Sequence, residues 1–353
     1  MCRYSYIRVV HLILILLCLL LAGCGGPASK IDEILNSLTE RDAFTGSVLV
    51  AQKGEILLSK GYGLADWENN LPNKPHTKYR IASITKQFTA MAILMLQAQD
   101  KLNVQDPVCL YISECPVTWQ DITIHQLLTH TSRIPNFIKF INYEATKATP
   151  SSPEQTIARF KDKPLDFPPG EQLSYSNSGY IVLGYIIEQV SGQSYEAFLQ
   201  QNIFEPLQMK DTGYDHNDGS LAIGYTGILW TEADYLDMTI PFAAGGLYST
   251  VEDLYRWDQA LYTEQLVSQD LLDLMFTPHA NLPAPGFSYG YGWYIGEMND
   301  HNVVGHGGSI EGFATEIRRY IDDQVTIIVI SNRDSTGVGN IADLIAQAVF
   351  EEQ

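Results

Sequence analysis

Three short groups of chemically capable residues each occur once in this chain, and in one order: Ser83-Ile84-Thr85-Lys86, Tyr175-Ser176-Asn177 and His306-Gly307-Gly308. Together they can build a nucleophilic site. A serine hydroxyl attacks a carbonyl poorly until a base takes its proton, and a lysine three residues further along a helix reaches that hydroxyl without chain movement. Such a lysine acts only when neutral, and burial and the positive end of a helix dipole both push it that way. A phenol at Tyr175 can pass protons between nucleophile, lysine and leaving group, and the carboxamide of Asn177 can hold a substrate amide. His306 has an unperturbed pKa of about 6.5, which gives it a pH-dependent role at the substrate's end.

The surrounding text indicates what must hold these residues. In SITKQFTAMAILMLQ the apolar Ile84, Phe88, Met91 and Met95 recur at helical spacing, so Ser83 opens a buried amphipathic helix and Lys86 lies one turn on. Two prolines and a glycine in PPGEQLSYSNSGY keep Tyr175 and Asn177 in a loop until an apolar helical run begins at Tyr180. HNVVGHGGSIEGFATEIRRY reads as a strand, a glycine pair and a second strand, and glycines there let another backbone come close, so a substrate can lie along that edge. Elsewhere, Ile31 to Leu38 predicts a short helix and TGSVLVAQKGEILLSKGYG a hairpin turning at Lys53-Gly54. FSYGYGWYIG and QVTIIVIS predict strands, and Asn340 to Phe350 a closing helix. The expected class is α+β (an α/β sandwich). An antiparallel sheet is flanked by the terminal helices, with an all-helical lobe at roughly 100–235 and the site in the cleft between them.

With YRIASITKQFTAMAILML, DITIHQLLTHTS, FPPGEQLSYSNSGYIVLGYIIEQVSG, FEPLQMKDTGY, PFAAGGLYSTVEDLYRW and GHGGSIEGF, the chain resembles the serine β-lactamase/penicillin-binding-protein superfamily. Within it the likeness is to the class C β-lactamase and serine D-alanyl-D-alanine carboxypeptidase family, over roughly residues 30 to 350. The resemblance implies a β-lactamase/transpeptidase-like fold. It makes Ser83 the acylated nucleophile, Lys86 its base, Tyr175 the proton relay and Asn177 a hydrogen-bond partner of the substrate. It sets His306 and Gly308 against the substrate as well, and forms the oxyanion hole from the backbone N–H groups of Ser83 and Ser309. Many relatives have Lys-Thr-Gly as the third motif; the histidine form is similar to carboxypeptidase, D-aminopeptidase and esterase-like branches, which makes efficient β-lactam hydrolysis the less favoured activity. Relatives tend to have glycine where this chain has Arg133 and Gln208, at turns that prefer positive φ.

Residues 1–23 resemble a bacterial lipoprotein signal: Arg3 and Arg8 precede an apolar run from Val9 to Leu21, and Leu21-Ala22-Gly23-Cys24 resembles a lipobox. The expected mature chain starts at lipidated Cys24, with a tether over 24–30 and one hydrolase domain over 31–353. An uncleaved anchor would equally place that domain outside the cytoplasm, on the cell membrane or outer membrane. Two cysteines remain, Cys109 and Cys115, and they are read either as a disulfide closing a small loop or as two buried thiols. His125 and His130 are read as structural. No H-E-x-x-H, Walker or Rossmann pattern occurs, and neither metal nor cofactor is expected.

The composition, 45% hydrophobic and 18% charged over 353 residues, suits a sizeable core. A formal charge of −19, or −21 once Arg3 and Arg8 leave with the signal, makes nucleic acid an unfavourable partner. The expected function is a lipid-anchored, extracytoplasmic serine hydrolase working through an acyl-enzyme on D-amino-acid peptides, amides or small esters. The alternatives are a β-lactamase, or a non-catalytic peptide-binding sensor on the same fold. Oligomeric state is not legible.

Overall fold

The computed structural model describes residues 26–227, 230–283, 285–298 and 300–351. The expected signal segment, residues 1–23, and Cys24 lie outside them. A first helix, α1 (Pro27–Glu40), leads into strands β1 (Gly46–Gln52) and β2 (Glu55–Tyr62). α1 therefore begins inside the expected tether, and Pro27 explains it, because proline's fixed φ and missing N–H suit the first turn of a helix. The β1–β2 hairpin turns at Lys53 and Gly54 as expected, both with positive φ, the pairing a two-residue hairpin requires.

Three longer helices follow: α2 (Thr85–Ala98), α3 (Asn177–Ser191) and α4 (Val251–Ala260). Six more strands then complete the sheet: β3 (Ala280–Asn281), β4 (Phe287–Tyr289), β5 (Tyr294–Met298), β6 (His301–Ile310), β7 (Phe313–Tyr320) and β8 (Val325–Ser331). α5 (Val338–Phe350) closes the described chain. The order across the sheet is β3-β4-β5-β6-β7-β8-β1-β2, every neighbouring pair antiparallel. β6 does not stop at its glycines. It runs through Gly307 and Gly308 to Ile310 and turns at Glu311-Gly312.

β8 is buried at every residue because both its faces are covered. Val325, Ile327 and Val329 pack with Ile31 and Leu35 of α1 and with Ile341 and Ile345 of α5, while Ile328 and Ile330 join the core around α2. The two-residue side-chain period of a strand thus feeds two cores from one sequence. α2 departs from the one-sided pattern expected of it, since every residue from Thr85 to Leu96 is buried. It is enclosed by the sheet on one side and α3 on the other, and a helix apolar nearly all round belongs in such a place.

The lobe between about residues 100 and 235 holds short helices around α3 and is not wholly helical. Gly213–Tyr214 pairs with Leu247–Ser249, and Tyr225–Thr226 pairs with Thr231–Glu232. Cys109 and Cys115 form a disulfide across a six-residue separation, which settles their two readings. Arg133 and Gln208 both have positive φ, 66° and 56°, the conformation that favours glycine at these turns.

Candidate active site

Ser83 stands in a single 3-10 turn, Ala82–Ile84, immediately ahead of α2. Ala82 before it has φ of 47°, a left-handed conformation that costs a non-glycine residue about 1–3 kcal/mol and is characteristic of functional turns. Lys86, one turn on, is fully buried. Its Nζ lies 3.0 Å from Ser83 Oγ, 2.9 Å from Asn177 Oδ1 and 2.7 Å from the Ala244 carbonyl oxygen. Burial pulls its pKa well below the ordinary lysine range. A neutral amine has two N–H bonds and one lone pair. Asn177 Oδ1 and the Ala244 carbonyl can only accept, so they take the two N–H groups and leave the lone pair facing the serine.

Tyr175 completes the contact on the other side, with its hydroxyl donating to Ser83 Oγ at 3.0 Å. Burial pushes this phenol's pKa well above its usual value, so it stays protonated and can give a proton but does not act as a resting phenolate. Asn177 is the first residue of α3, where its N–H, lacking an intrahelical acceptor, donates to Asn136 Oδ1 at 3.2 Å.

His130 is structural, as expected, and what it supports is Tyr175. Its carbonyl accepts from Ser174 N–H at 2.8 Å and its Nδ1 from Ser176 N–H at 3.2 Å, bracketing Tyr175, and its ring lies 4.1 Å from the Tyr175 ring. It fixes the loop that presents the phenol. The signal was the stretch DITIHQLLTHTS, already conspicuous for its family likeness.

His306 is placed differently from expectation. It is 2% exposed; Nε2 lies 3.0 Å from the Tyr289 hydroxyl and Nδ1 2.6 Å from the Gly307 carbonyl. A carbonyl only accepts, so Nδ1 carries the proton and Nε2 accepts from the tyrosine. Both nitrogens are thus engaged inside the protein. Burial pulls its pKa down to about 3, which removes the pH-dependent substrate contact expected of it. Its ring lies 6.2 Å from Tyr175 and 4.7 Å from Tyr294, part of the aromatic backing of the site.

Gly308 sits where β6 crosses the serine turn. A Cβ there would come within 2.8 Å of the Ile81 carbonyl oxygen and 2.9 Å of Ala82 Cβ. Its cross-strand partner Thr315 donates to that same Ile81 oxygen at 3.1 Å, which fastens strand to turn. Ser309 follows, and it lines with Ser83 and Asn177 a cavity of about 190 Å³. Gly308→Val is expected to lower the acylation rate about 100-fold by shifting Ser83 relative to Ser309. A wild-type rate in an active-site labelling assay would show that this close approach is not needed.

The histidines give the fold an acid limit. Unfolded, an imidazole binds a proton near pH 6.5; folded, His306 does so only near pH 3, and His130 is pushed in the same direction by burial. Below about pH 6.5 the unfolded chain therefore holds more protons, and stability falls with pH by up to about 1.4 kcal/mol per unit for each such group. Urea unfolding at pH 7.5 and 5.5 measures it; equal midpoints would contradict neutral burial.

The chain also matches G-x-S-x-G once, at Gly286–Gly290. Ser288 lies in β4, its Oγ donating to Asn281 Oδ1 at 3.1 Å, and not at a strand-to-helix elbow, so the pattern marks no second nucleophile. Among the described residues no group of three or more His, Cys, Asp or Glu side chains could hold a metal ion.

Residues 31–350 match the family model described as Beta-lactamase. Penicillin-binding protein 4* of Bacillus subtilis (strain 168) is 30% identical over 326 residues, covering 86% of this chain and 71% of that protein. The octameric penicillin-binding protein homologue from Pyrococcus abyssi superposes with a TM-score of 0.82 at 32% identity, over 92% of this chain and 77% of that one. D-amino acid amidase from Ochrobactrum anthropi SV3 shares the fold, with a TM-score of 0.81 at 24% identity over 92% and 99% of the two chains. The chain belongs to the beta-lactamase family, a family of serine hydrolases that takes in penicillin-binding-protein-like relatives.

Proposed function

We propose that this protein hydrolyses amide or ester bonds of D-amino-acid peptides, amides or small esters through an acyl-enzyme on Ser83. The observation that carries this reading is the position of Ser83 Oγ, 3.0 Å from a buried amine on one side and 3.0 Å from a phenol on the other. In the proposed reaction the Ser83 proton passes to Lys86 Nζ as Oγ bonds to the substrate carbonyl carbon. The developing oxyanion sits against the N–H groups of Ser83 and Ser309. Tyr175, reprotonated from Lys86, gives a proton to the departing nitrogen or oxygen as its bond to carbon breaks. Water then attacks the ester, passing its proton back through the same groups and restoring the Ser83 hydroxyl. Asn177 is spent largely on Lys86 and offers its Nδ2 side to a substrate amide. The substrate class rests on the family and on the D-amino acid amidase that shares the fold.

The anchor is part of the same proposal: lipid on Cys24 would hold the domain outside the cytoplasm, and the support for it is the lipobox-like sequence. Unchanged membrane fractionation of Cys24→Ser would refute it.

A fluorophosphonate probe is expected to label the wild type at Ser83, located by mass spectrometry, and to leave Ser83→Ala unlabelled. Equal labelling of the two proteins would remove Ser83 as the nucleophile. Labelling without turnover of any D-aminoacyl amide, p-nitrophenyl ester or β-lactam would favour the sensor reading.

A further inference from the structure

Beside Ser83 the cavity is walled by apolar or neutral groups, among them Phe137, Ile138 and Leu236, with one charged side chain, Glu311. Glu311 is at the tip of the β6–β7 hairpin, two residues beyond Ser309, and the turn is fastened where Gly312 N–H donates to Asp334 Oδ2 at 3.2 Å. Among the described residues no cation faces this cavity. Lys86 is fully buried and held neutral, and His306 is buried with both nitrogens engaged. Lys147 stands behind Glu311, its Nζ 3.2 Å from Oε1, but the same ammonium lies 2.6 Å from Glu144. Two carboxylates thus share one ammonium, and Arg159, whose charge also reaches Tyr143 in the cavity wall, is turned to Thr146 Oγ1 at 3.2 Å. Past Glu311 a further groove is acidic: Arg80 is paired with Asp215 at 2.7 Å, while Glu232 and Asp234 also line it.

We infer that Glu311 selects acyl donors carrying a primary ammonium close to the carbonyl that Ser83 attacks, and that the site disfavours donors ending in a carboxylate. This rests on the acyl-enzyme reading above. The fit is physical: a carboxylate held on a rigid turn in a half-enclosed, largely apolar cavity is screened less than one in open water, so a charge-assisted hydrogen bond from an ammonium is strengthened there. A substrate carboxylate would meet a like charge and no partner. The ammonium has two possible sources, the α-amino group of a D-aminoacyl amide or a basic side chain, and their shared chemistry is a primary amine a few ångströms from the reacting carbonyl.

The test is protection of Ser83 from a neutral fluorophosphonate probe, which works whether or not a protecting compound is turned over. D-phenylalaninamide, N-acetyl-D-phenylalaninamide, N-acetyl-D-lysinamide and N-succinyl-D-phenylalaninamide are compared by the concentration that halves the labelling rate. Wild type is expected to bind one of the two amines about 10- to 100-fold more tightly than the neutral amide, and the succinyl compound least. Protection by D-phenylalaninamide assigns the α-ammonium; protection by N-acetyl-D-lysinamide assigns the side chain. In Glu311→Gln the ratio of amine to neutral amide should fall to within about threefold. In Lys147→Met, where the competing cation is gone, it should rise. An unchanged ratio in Glu311→Gln, or tightest binding of the succinyl compound by wild type, overturns the subsite while leaving the nucleophile in place. Failure of the probe to label Ser83 at all overturns both.

Discussion

Lys86→Met slows acylation of Ser83 by about 10² to 10⁴-fold, the contribution expected of a positioned general base. The time course of fluorophosphonate labelling measures it. Lys86→Arg is the sharper companion, because it keeps length and donors yet holds its proton at any accessible pH, and it should be as slow as the methionine variant. The two variants also separate chemistry from folding. Methionine leaves the Ala244 carbonyl and Asn177 Oδ1 without a donor, at about 1–3 kcal/mol each, whereas arginine can supply both. Tyr175 cannot stand in as base, since burial raises its pKa. A rate within tenfold of wild type in both variants would remove Lys86 as the base. The same lowered pKa fixes the pH dependence: the amine is free of its proton well below pH 10.5, so acylation climbs to a plateau there, with no limb from His306 between pH 5 and 8.

Asp258→Ala destabilises the fold by about 3–5 kcal/mol, a large share of the 5–15 kcal/mol that holds a typical domain together. Asp258 of α4 and Arg319 of β7 are 0% and 1% exposed at their side chains, with Arg319 Nε donating to Asp258 Oδ1 at 2.5 Å. Thr326 donates to the other carboxylate oxygen at 2.7 Å. The guanidinium also lies 4.5 Å from the Tyr262 ring centroid and 5.3 Å from that of Phe276. Removing the carboxylate leaves the positive charge with the main-chain oxygen of residue 258, 3.3 Å from Nη2, and with aromatic rings that attract it but cannot accept its N–H bonds in line. The double variant Asp258→Ala/Arg319→Met should recover part of the loss, since no buried charge is left unpaired. Chemical denaturation measures all three proteins. A single-variant loss below about 1 kcal/mol would mean that water reaches the pair.

The parts of the site legible in sequence were those set by local spacing. Ser83 and Lys86 are one helical turn apart, and Tyr175 and Asn177 lie at the join of a proline-rich loop and a helix, so their mutual placement follows from backbone geometry. The partners that tune them are not local. The Ala244 carbonyl reaches Lys86 across 158 residues, and a main-chain oxygen has no side-chain signature. His306 was visible as a residue of a glycine-bearing strand. Its burial depends on Tyr289 of β4, two strands away in the sheet, which no spacing within its own motif reports. The same distinction holds for the fold. The Lys53-Gly54 turn follows from residue types, whereas the insertion of β1 between β2 and β8 joins Gly46 to Ser331 and is a property of the whole chain. The complete burial of α2 likewise reflects what surrounds it, and its apolar period shows only one face of that.

The place of β1 in the sheet governs how the protein comes into being. A polypeptide emerging residue by residue holds its serine, lysine, tyrosine and asparagine by position 177, yet the strand that presses against the serine turn begins at 301 and the strand that clasps β1 ends at 331. Loop closure over such a distance is slow to nucleate, and every pairing that defines the catalytic wall waits for it. Fragments truncated before the last strand should be inert and bound for aggregation through the open edges of β1 and β7, with no partly active form between them and the finished molecule.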